Sequence, residues 1–230
     1  MQNLKLKGEG KFIPLFPTPL GIFKDDDYPN KKDDILKMCL DERDNDTSGR
    51  LISNRGGGWQ SKSKWFFEEK NKSFYEYLHK MIESLFYESF DHSGELTFSV
   101  PNCWININPS GAYNLSHTHP GCDYAGVLYV NLPENDDIDD DAPIVFDGPN
   151  SHIFGLTFNM YSENYVNAYG LCAEIEVYPS EGTLLIFHSS LRHLVEENKS
   201  KEERISIAFN IIIENYGRFG DNNKRGKIKC

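Results

Sequence analysis

Three of the seven histidines lie next to short β-branched segments, where strands are expected to converge. His117 and His119 are two residues apart, and His193 follows the apolar segment 183–188. Residues two apart on an extended chain point to the same side, so the first two imidazoles can reach one metal ion. The pattern therefore predicts a metal site, with His193 as a further ligand.

Arg204 lies eleven residues after His193, and the midpoint between them falls in the polar turn at Asn198 and Lys199. If the segments 183–194 and 204–213 pair as a hairpin about that turn, the histidine and the arginine face each other on one side of a sheet.

The segment that begins at Arg204 alternates polar and apolar residues. Arg204, Ser206 and Asn210 share one face, and the isoleucines and the phenylalanine between them point the other way. A buried guanidinium needs an anion, which suits a keto acid with two carboxylate ends. Its near end would chelate iron, and its far carboxylate would meet Arg204 and the hydroxyl of Ser206. Three protein ligands on an octahedral iron leave two positions for the keto acid and one for dioxygen.

The elements that must position these residues are mainly strands. Seven short β-branched or aromatic runs follow residue 95, which favours a sandwich or jelly roll. They span 95–100, 103–108, 124–132, 143–146, 171–178, 183–188 and 204–213. A chain of 230 residues suits one domain, so we predict a single domain over 1–214, with a jelly-roll core at 95–214 and a flexible tail at 215–230.

The first 94 residues are predicted to form an extended segment and two helices. Four prolines in the first thirty residues favour an extended edge. Apolar residues at helical spacing between Ile35 and Leu40 predict a short helix. A second helix is predicted from Ser73 to about Phe90, with Ser73 and Glu76 as a capping box.

Composition narrows the partners and the compartment. A net charge of −11 disfavours nucleic acid as a partner, because that backbone attracts basic surfaces. Five scattered cysteines without a paired motif indicate thiols in a reducing compartment. No apolar run has the length of a membrane span, and none follows the first residues as in a signal peptide. We therefore expect a cytoplasmic protein without a membrane partner.

The sequence resembles the Fe(II)/2-oxoglutarate oxygenases of the prolyl-hydroxylase-like kind, and within them a family found in bacteria and tailed phages. The resemblance covers roughly residues 100–213, with its most specific part at His193, Arg204 and Ser206. Further matching segments are 16–19, 104–106, 113–120, 126–130 and 182–187. The resemblance implies a double-stranded β-helix, of jelly-roll or cupin-like form, with the N-terminal helices packed on it. If a phage encodes the chain, the expected location is the host cytoplasm.

The resemblance also implies roles for particular residues. His117 would be the first iron ligand and His193 the distal one, while Arg204, Ser206 and Tyr129 would bind 2-oxoglutarate. The implied reaction is oxidative decarboxylation of 2-oxoglutarate, coupled to hydroxylation of a protein or peptide side chain or of a small molecule. Ascorbate is a further candidate cofactor.

One departure concerns the third ligand, since most of these enzymes carry His-x-Asp and this chain has His-x-His. Either His119 replaces the carboxylate, or Asp123 or water completes the iron sphere; we favour His119. A neutral third ligand would leave the iron with one more unit of positive charge.

Two questions stay open at this level. The aromatic segment 150–170 is either a packed excursion or a lid over the substrate mouth, and we favour a lid. Its candidate substrate-facing residues are Phe154, Phe158, Tyr161 and Tyr165. The alternative functions are a non-catalytic jelly-roll metal- or ligand-binding domain and a three-histidine dioxygenase that does not use 2-oxoglutarate.

Overall fold

The computed structural model describes residues 18–89, 96–133, 142–148 and 173–216. Within these ranges the chain forms two α-helices, α1 (Lys32–Asn45) and α2 (Lys72–Ser89), and eleven strands. The strands are β1 (Leu20–Lys24), β2 (Asn54–Arg55), β3 (Trp59–Gln60), β4 (Leu96–Asn108), β5 (Tyr113–His117), β6 (Tyr124–Asn131), β7 (Ile144–Asp147), β8 (Glu174–Val177), β9 (Thr183–His188), β10 (His193–Val195) and β11 (Arg204–Tyr216).

The strands form two antiparallel sheets. The larger sheet has the order β1-β9-β6-β11-β4-β3, and the smaller has the order β2-β5-β10-β7-β8. Apolar residues of β6 and β9 pack against Ile144 and Phe146 of β7, so the two sheets face each other across a shared core. The prediction of a mainly β jelly roll with helical additions is confirmed.

The other face of the larger sheet is covered by the helices. One face of α2 presents Leu78, Ile82 and Phe86, which share a core with Ile105 and Phe209 of β4 and β11. Both predicted helices form, because each buries an apolar stripe that neither could bury alone. Helix α2 begins at Lys72, so Ser73 lies inside its first turn and is not the predicted N-cap.

The two predicted strands at 95–100 and 103–108 form one continuous strand, β4. Pro101 lies inside it, where the pairing with β11 shifts register between Asn102 and Ser99. Proline has no N–H to give to the ladder, and a bulge is where a sheet accepts such a residue.

The predicted hairpin between 183–194 and 204–213 is wrong. Strand β11 pairs with β4 and β6 in the larger sheet, whereas β10, which begins at His193, pairs with β5 and β7 in the smaller sheet. The chain crosses from one sheet to the other between Val195 and Arg204. His193 and Arg204 therefore line the space between the sheets from opposite walls.

Two predicted features lie outside the described residues: the aromatic segment at 150–170 and residues 217–230 of the predicted tail. The proline-rich start is described only from Thr18, and there β1 forms an edge strand of the larger sheet, as predicted. Neither described helix is apolar enough over a sufficient length to cross a membrane.

Candidate metal centre and cosubstrate pocket

Three histidines converge between the sheets. His117 ends β5, His119 lies two residues beyond, and His193 begins β10 directly opposite His117 in the strand ladder. One ring nitrogen from each of the three lies within 4.8 Å of the others, which is close enough for the three rings to bind a single ion. The structure thus brings together the three residues proposed as ligands.

Each ring is oriented by an acceptor at its outer nitrogen. The Nδ1 atoms lie 2.7 Å from Leu115 O in His117, 2.7 Å from Asn210 Oδ1 in His119, and 3.0 Å from Leu191 O in His193. An Nδ1–H that donates to oxygen leaves Nε2 with its lone pair, the form that binds a metal.

Burial keeps the cluster in its neutral, ligating form. It lowers the pKa of His193 to about 3, with the neighbouring His117 and His119 acting in the same direction and the bond to Leu191 opposing them. Burial also lowers the pKa values of His117 and His119. Neutral imidazole is the metal-binding species, so the site does not have to lose protons near neutral pH to bind a cation.

A narrow pocket runs from the histidines to Arg204. Arg204 and Ser206, from β11, line it together with Tyr129 of β6. Ser206 is paired with Tyr129 in the ladder, which places the three polar groups side by side. Arg204 is 3% exposed and its Cζ lies 5.1 Å from the centre of the Tyr129 ring.

At the Arg204 end of this pocket, several buried polar atoms have no hydrogen-bond partner among the described residues. Within the described residues, Arg204 Nε and Nη2 and the Tyr129 hydroxyl are buried without a hydrogen-bond partner. Burial lowers the pKa of Arg204, with Tyr129 opposing, and it raises the pKa of Tyr129 to about 12, again with the arginine opposing. Such buried donors are costly unless a ligand accepts from them, and a carboxylate matches a guanidinium in both charge and geometry.

Asp123 has a different role in the fold. Its Oδ2 accepts a hydrogen bond from the Ile213 N–H at 2.8 Å, and its backbone bonds to Ile211 and Ser189. This carboxylate ties the loop after His119 to β11, and it is not among the residues whose ligand atoms converge with the histidines.

Asparagines support the site in ways that the sequence analysis missed. Asn108 Nδ2 donates to Asn114 Oδ1 at 2.9 Å, which connects β4 of one sheet with β5 of the other. Asn198 Nδ2 donates to Asn108 O and to Glu202 O, which fixes the crossing that leads into Arg204. Among these asparagines and Asn210, the sequence predicted only that Asn210 faces the site, because it shares the Arg204 face of the alternating segment.

The donor set fits both an iron ion and 2-oxoglutarate. His119 Nε2 is a buried acceptor that no described residue partners, and it lies where the three rings converge. Three imidazoles suit a divalent transition metal, and the buried guanidinium at the far end of the pocket suits the second carboxylate of a keto diacid.

Comparison with known proteins gives the class. Residues 102–210 match the family model described as "Putative 2OG-Fe(II) oxygenase". This match covers all three histidines together with Arg204, Ser206 and Tyr129, and it confirms the resemblance and the enzyme class predicted from the sequence. Residues 102–210 therefore match a 2-oxoglutarate-dependent Fe(II) oxygenase family, and the matched segment includes the three-histidine group. No curated protein has a matching sequence.

Solved structures share the fold. A prolyl hydroxylase from Trichoplax adhaerens, in complex with a hypoxia-inducible factor peptide fragment, is 16% identical, with TM-score 0.57, over 85% of this chain and 84% of that one. The viral collagen prolyl hydroxylase of Paramecium bursaria Chlorella virus 1, as its 2-oxoglutarate complex, is 14% identical, with TM-score 0.52, over 83% and 94%. HygX of Streptomyces hygroscopicus, with nickel and 2-oxoglutarate bound, is 8% identical, with TM-score 0.55, over 87% and 85%.

Proposed function

We propose that this protein hydroxylates a protein or peptide side chain, with His117, His119 and His193 as the iron ligands and Arg204, Ser206 and Tyr129 as the 2-oxoglutarate site. Iron and 2-oxoglutarate are the cofactors of the class; the ligand set and the substrate are our proposal. Reactions on small molecules are the alternative substrate class.

The observation that carries this proposal is the buried guanidinium of Arg204, whose Nε and Nη2 lack a hydrogen-bond partner among the described residues. Removing an arginine from water is expensive, and a buried arginine normally has a carboxylate or phosphate partner. No such partner is present among the described residues. A cosubstrate with a carboxylate at the far end of the pocket would neutralise the charge and accept from Nε and Nη2.

Each residue then has a defined task. The three imidazoles hold the metal by Nε2, while the acceptors at their Nδ1 atoms fix the ring planes. Arg204, Ser206 and Tyr129 bind the distal carboxylate and so set the distance between the keto group and the metal. Ile144 and Phe187 line the pocket between them and exclude water.

When bound, Fe(II) supplies the dioxygen chemistry that couples decarboxylation of 2-oxoglutarate, to succinate and carbon dioxide, to oxidation of a substrate C–H bond. The contribution of the chain is to position the reactants and to keep the site dry.

Substitution of Arg204 tests the cosubstrate site. Arg204→Met keeps a buried stem but removes the charge, so we expect 2-oxoglutarate binding to the Ni(II)-loaded protein to weaken by at least about 100-fold, with metal affinity unchanged. Arg192→Met is the matched control, at an exposed arginine that forms an ion pair with Asp147. This variant should bind 2-oxoglutarate as the wild type does. Equal binding by both variants would refute the proposed site.

The same variant separates the second candidate function. The neutral three-histidine set also suits a dioxygenase that does not use 2-oxoglutarate, and there Arg204→Met would leave oxygen consumption with substrate unchanged. A non-catalytic binding domain would bind metal without any turnover of 2-oxoglutarate.

We further propose that the protein is cytoplasmic, which the buried free thiols of Cys39 and Cys103 support.

A further inference from the structure

A second cleft, wider than the 2-oxoglutarate pocket, opens from the histidines. It has a volume of about 530 Å³ and shares Ser53, Trp104, His117 and His119 with the narrow pocket, but it does not include Arg204. A group bound in this cleft would therefore reach the metal without displacing the cosubstrate, as the substrate of the proposed reaction must.

The charges around the cleft are unusual for so acidic a chain. Arg50 and Lys62 line it, and no carboxylate does among the described residues. Asp46 lies behind them, with its Oδ2 at 3.2 Å from Arg50 Nη1 and 3.9 Å from Lys62 Nζ. One carboxylate faces two cations, so one positive charge is left for a ligand, on a protein whose net charge is −11.

The wall of the cleft also holds polar atoms that lack partners. Gln60 is 7% exposed, and its Oε1 is buried with no hydrogen-bond partner in the described part of the chain; the same holds for Asn102 Oδ1. Both residues line the cleft. A buried acceptor without a donor is destabilising, and a ligand N–H at either position would supply the missing hydrogen bond.

These features specify a chemistry. A side-chain carboxamide carries a donor and an acceptor that match the C=O and N–H of a peptide group. The surplus cation at the rim matches a carboxylate.

We propose that the cleft lined by Arg50, Gln60, Lys62 and Asn102 is the substrate site, and that it takes an anion that carries an amide N–H. The inference rests on the proposed function, which it extends to the substrate. This chemistry has two sources, an acidic peptide segment and an N-acylated acidic amino acid.

The test uses three probes on protein loaded with Ni(II) and 2-oxoglutarate. They are a pool of blocked hexapeptides with Glu at both ends, the same pool with Lys at both ends, and N-acetylglutamate. Binding is followed by the tryptophan fluorescence, because Trp104 lines the cleft with its ring 5.7 Å from that of His119. Succinate formation by the Fe(II) enzyme is the second readout.

Lys62→Glu is the informative variant, and Lys64→Glu is its matched control, since Lys64 is exposed on the same segment but does not line the cleft. We expect the Glu pool or N-acetylglutamate to bind and to stimulate succinate formation, with Lys62→Glu weakening binding about three- to fivefold. Binding by the pool assigns a peptide source, and binding by N-acetylglutamate alone assigns the small molecule.

Three results would overturn the inference: stronger binding of the Lys pool, affinity that Lys62→Glu leaves unchanged, or no binding of any probe to protein that still binds 2-oxoglutarate through Arg204. The last result would leave the proposed function intact. Failure to bind 2-oxoglutarate at all would instead remove the proposed function, and the inference with it.

Discussion

His119 and Asn210 are joined by a hydrogen bond of 2.7 Å between Nδ1 and Oδ1, which links the loop after β5 to β11. Backbone carbonyls orient His117 and His193, but His119 is oriented by a side chain. A substitution can therefore remove the acceptor of the ring that stands where the family usually has a carboxylate.

Asn210→Leu should weaken metal binding, because the ring of His119 loses the acceptor that fixes its plane and tautomer. We expect the affinity for Co(II), measured by competition with a chelator, to fall about 10- to 100-fold. Asn210→Asp keeps an acceptor of the same shape and should bind at least as tightly as the wild type.

Asn102→Leu is the control for that experiment, since Asn102 faces Asn210 across the β4–β11 ladder and has no hydrogen bond to His119. Equal metal loss in Asn210→Leu and Asn102→Leu would mean that the bond to His119 plays no part in metal retention.

The third ligand can be tested by comparing His119→Gln with Asp123→Asn. We expect His119→Gln to lower metal affinity by at least about tenfold. Asp123→Asn should retain the metal and lose at most about 1 kcal/mol of unfolding free energy, because an amide oxygen can still accept from the Ile213 N–H but without the charge of the carboxylate. Metal content after dialysis and urea unfolding measure the two effects. The reverse pattern of metal loss would make Asp123 the ligand.

The sequence predicted which side of a strand each residue faces, but it did not predict which strands pair. The alternation from Arg204 to Asn210 correctly separated the pocket face of β11 from its core face, since side-chain direction in a strand depends only on local geometry. The partner of a strand depends on the whole fold. His193 and Arg204 do line one pocket, but from two sheets, because the chain changes sheet in the turn where a hairpin was predicted.

Very short strands and the polar contacts between the sheets could not be predicted from the sequence, because both depend on the whole fold. Strand β3 has only two residues, Trp59 and Gln60, which is too few for a period to show. The bond between Asn108 and Asn114 joins residues of different sheets, and neither residue type nor spacing indicates such a contact. The three histidines were recoverable because metal chemistry restricts both the residue type and the spacing.

The hydrogen bonds of Asp25 predict how the stability of the fold depends on pH. Burial acts to raise the pKa of Asp25, but donors from Tyr77, the Asp27 N–H and Lys31 outweigh it, and the net pKa is lowered. The carboxylate accepts from the Tyr77 hydroxyl at 2.7 Å and from Lys31 Nζ at 3.1 Å.

A carboxyl whose pKa is lower in the folded state stabilises the fold above its unfolded pKa of about 3.9, and this stabilisation is lost as the pH falls through the folded value. We therefore expect Asp25→Asn to cost about 1–2 kcal/mol of unfolding free energy at pH 7 and progressively less below pH of about 4. Denaturant titrations of both proteins across this range provide the measurement. A cost that is the same at all pH values would show that charge on Asp25 contributes nothing.

The central claim is that one iron site and one 2-oxoglutarate site lie side by side between the sheets. Anaerobic addition of Fe(II) and then 2-oxoglutarate to the purified protein tests both at once, through the weak visible charge-transfer band of a chelated keto acid. We expect the band in the wild type and its loss in His193→Ala. A wild-type protein that holds Fe(II) but shows no band with saturating 2-oxoglutarate, or a His193→Ala variant that keeps the band, would contradict the account.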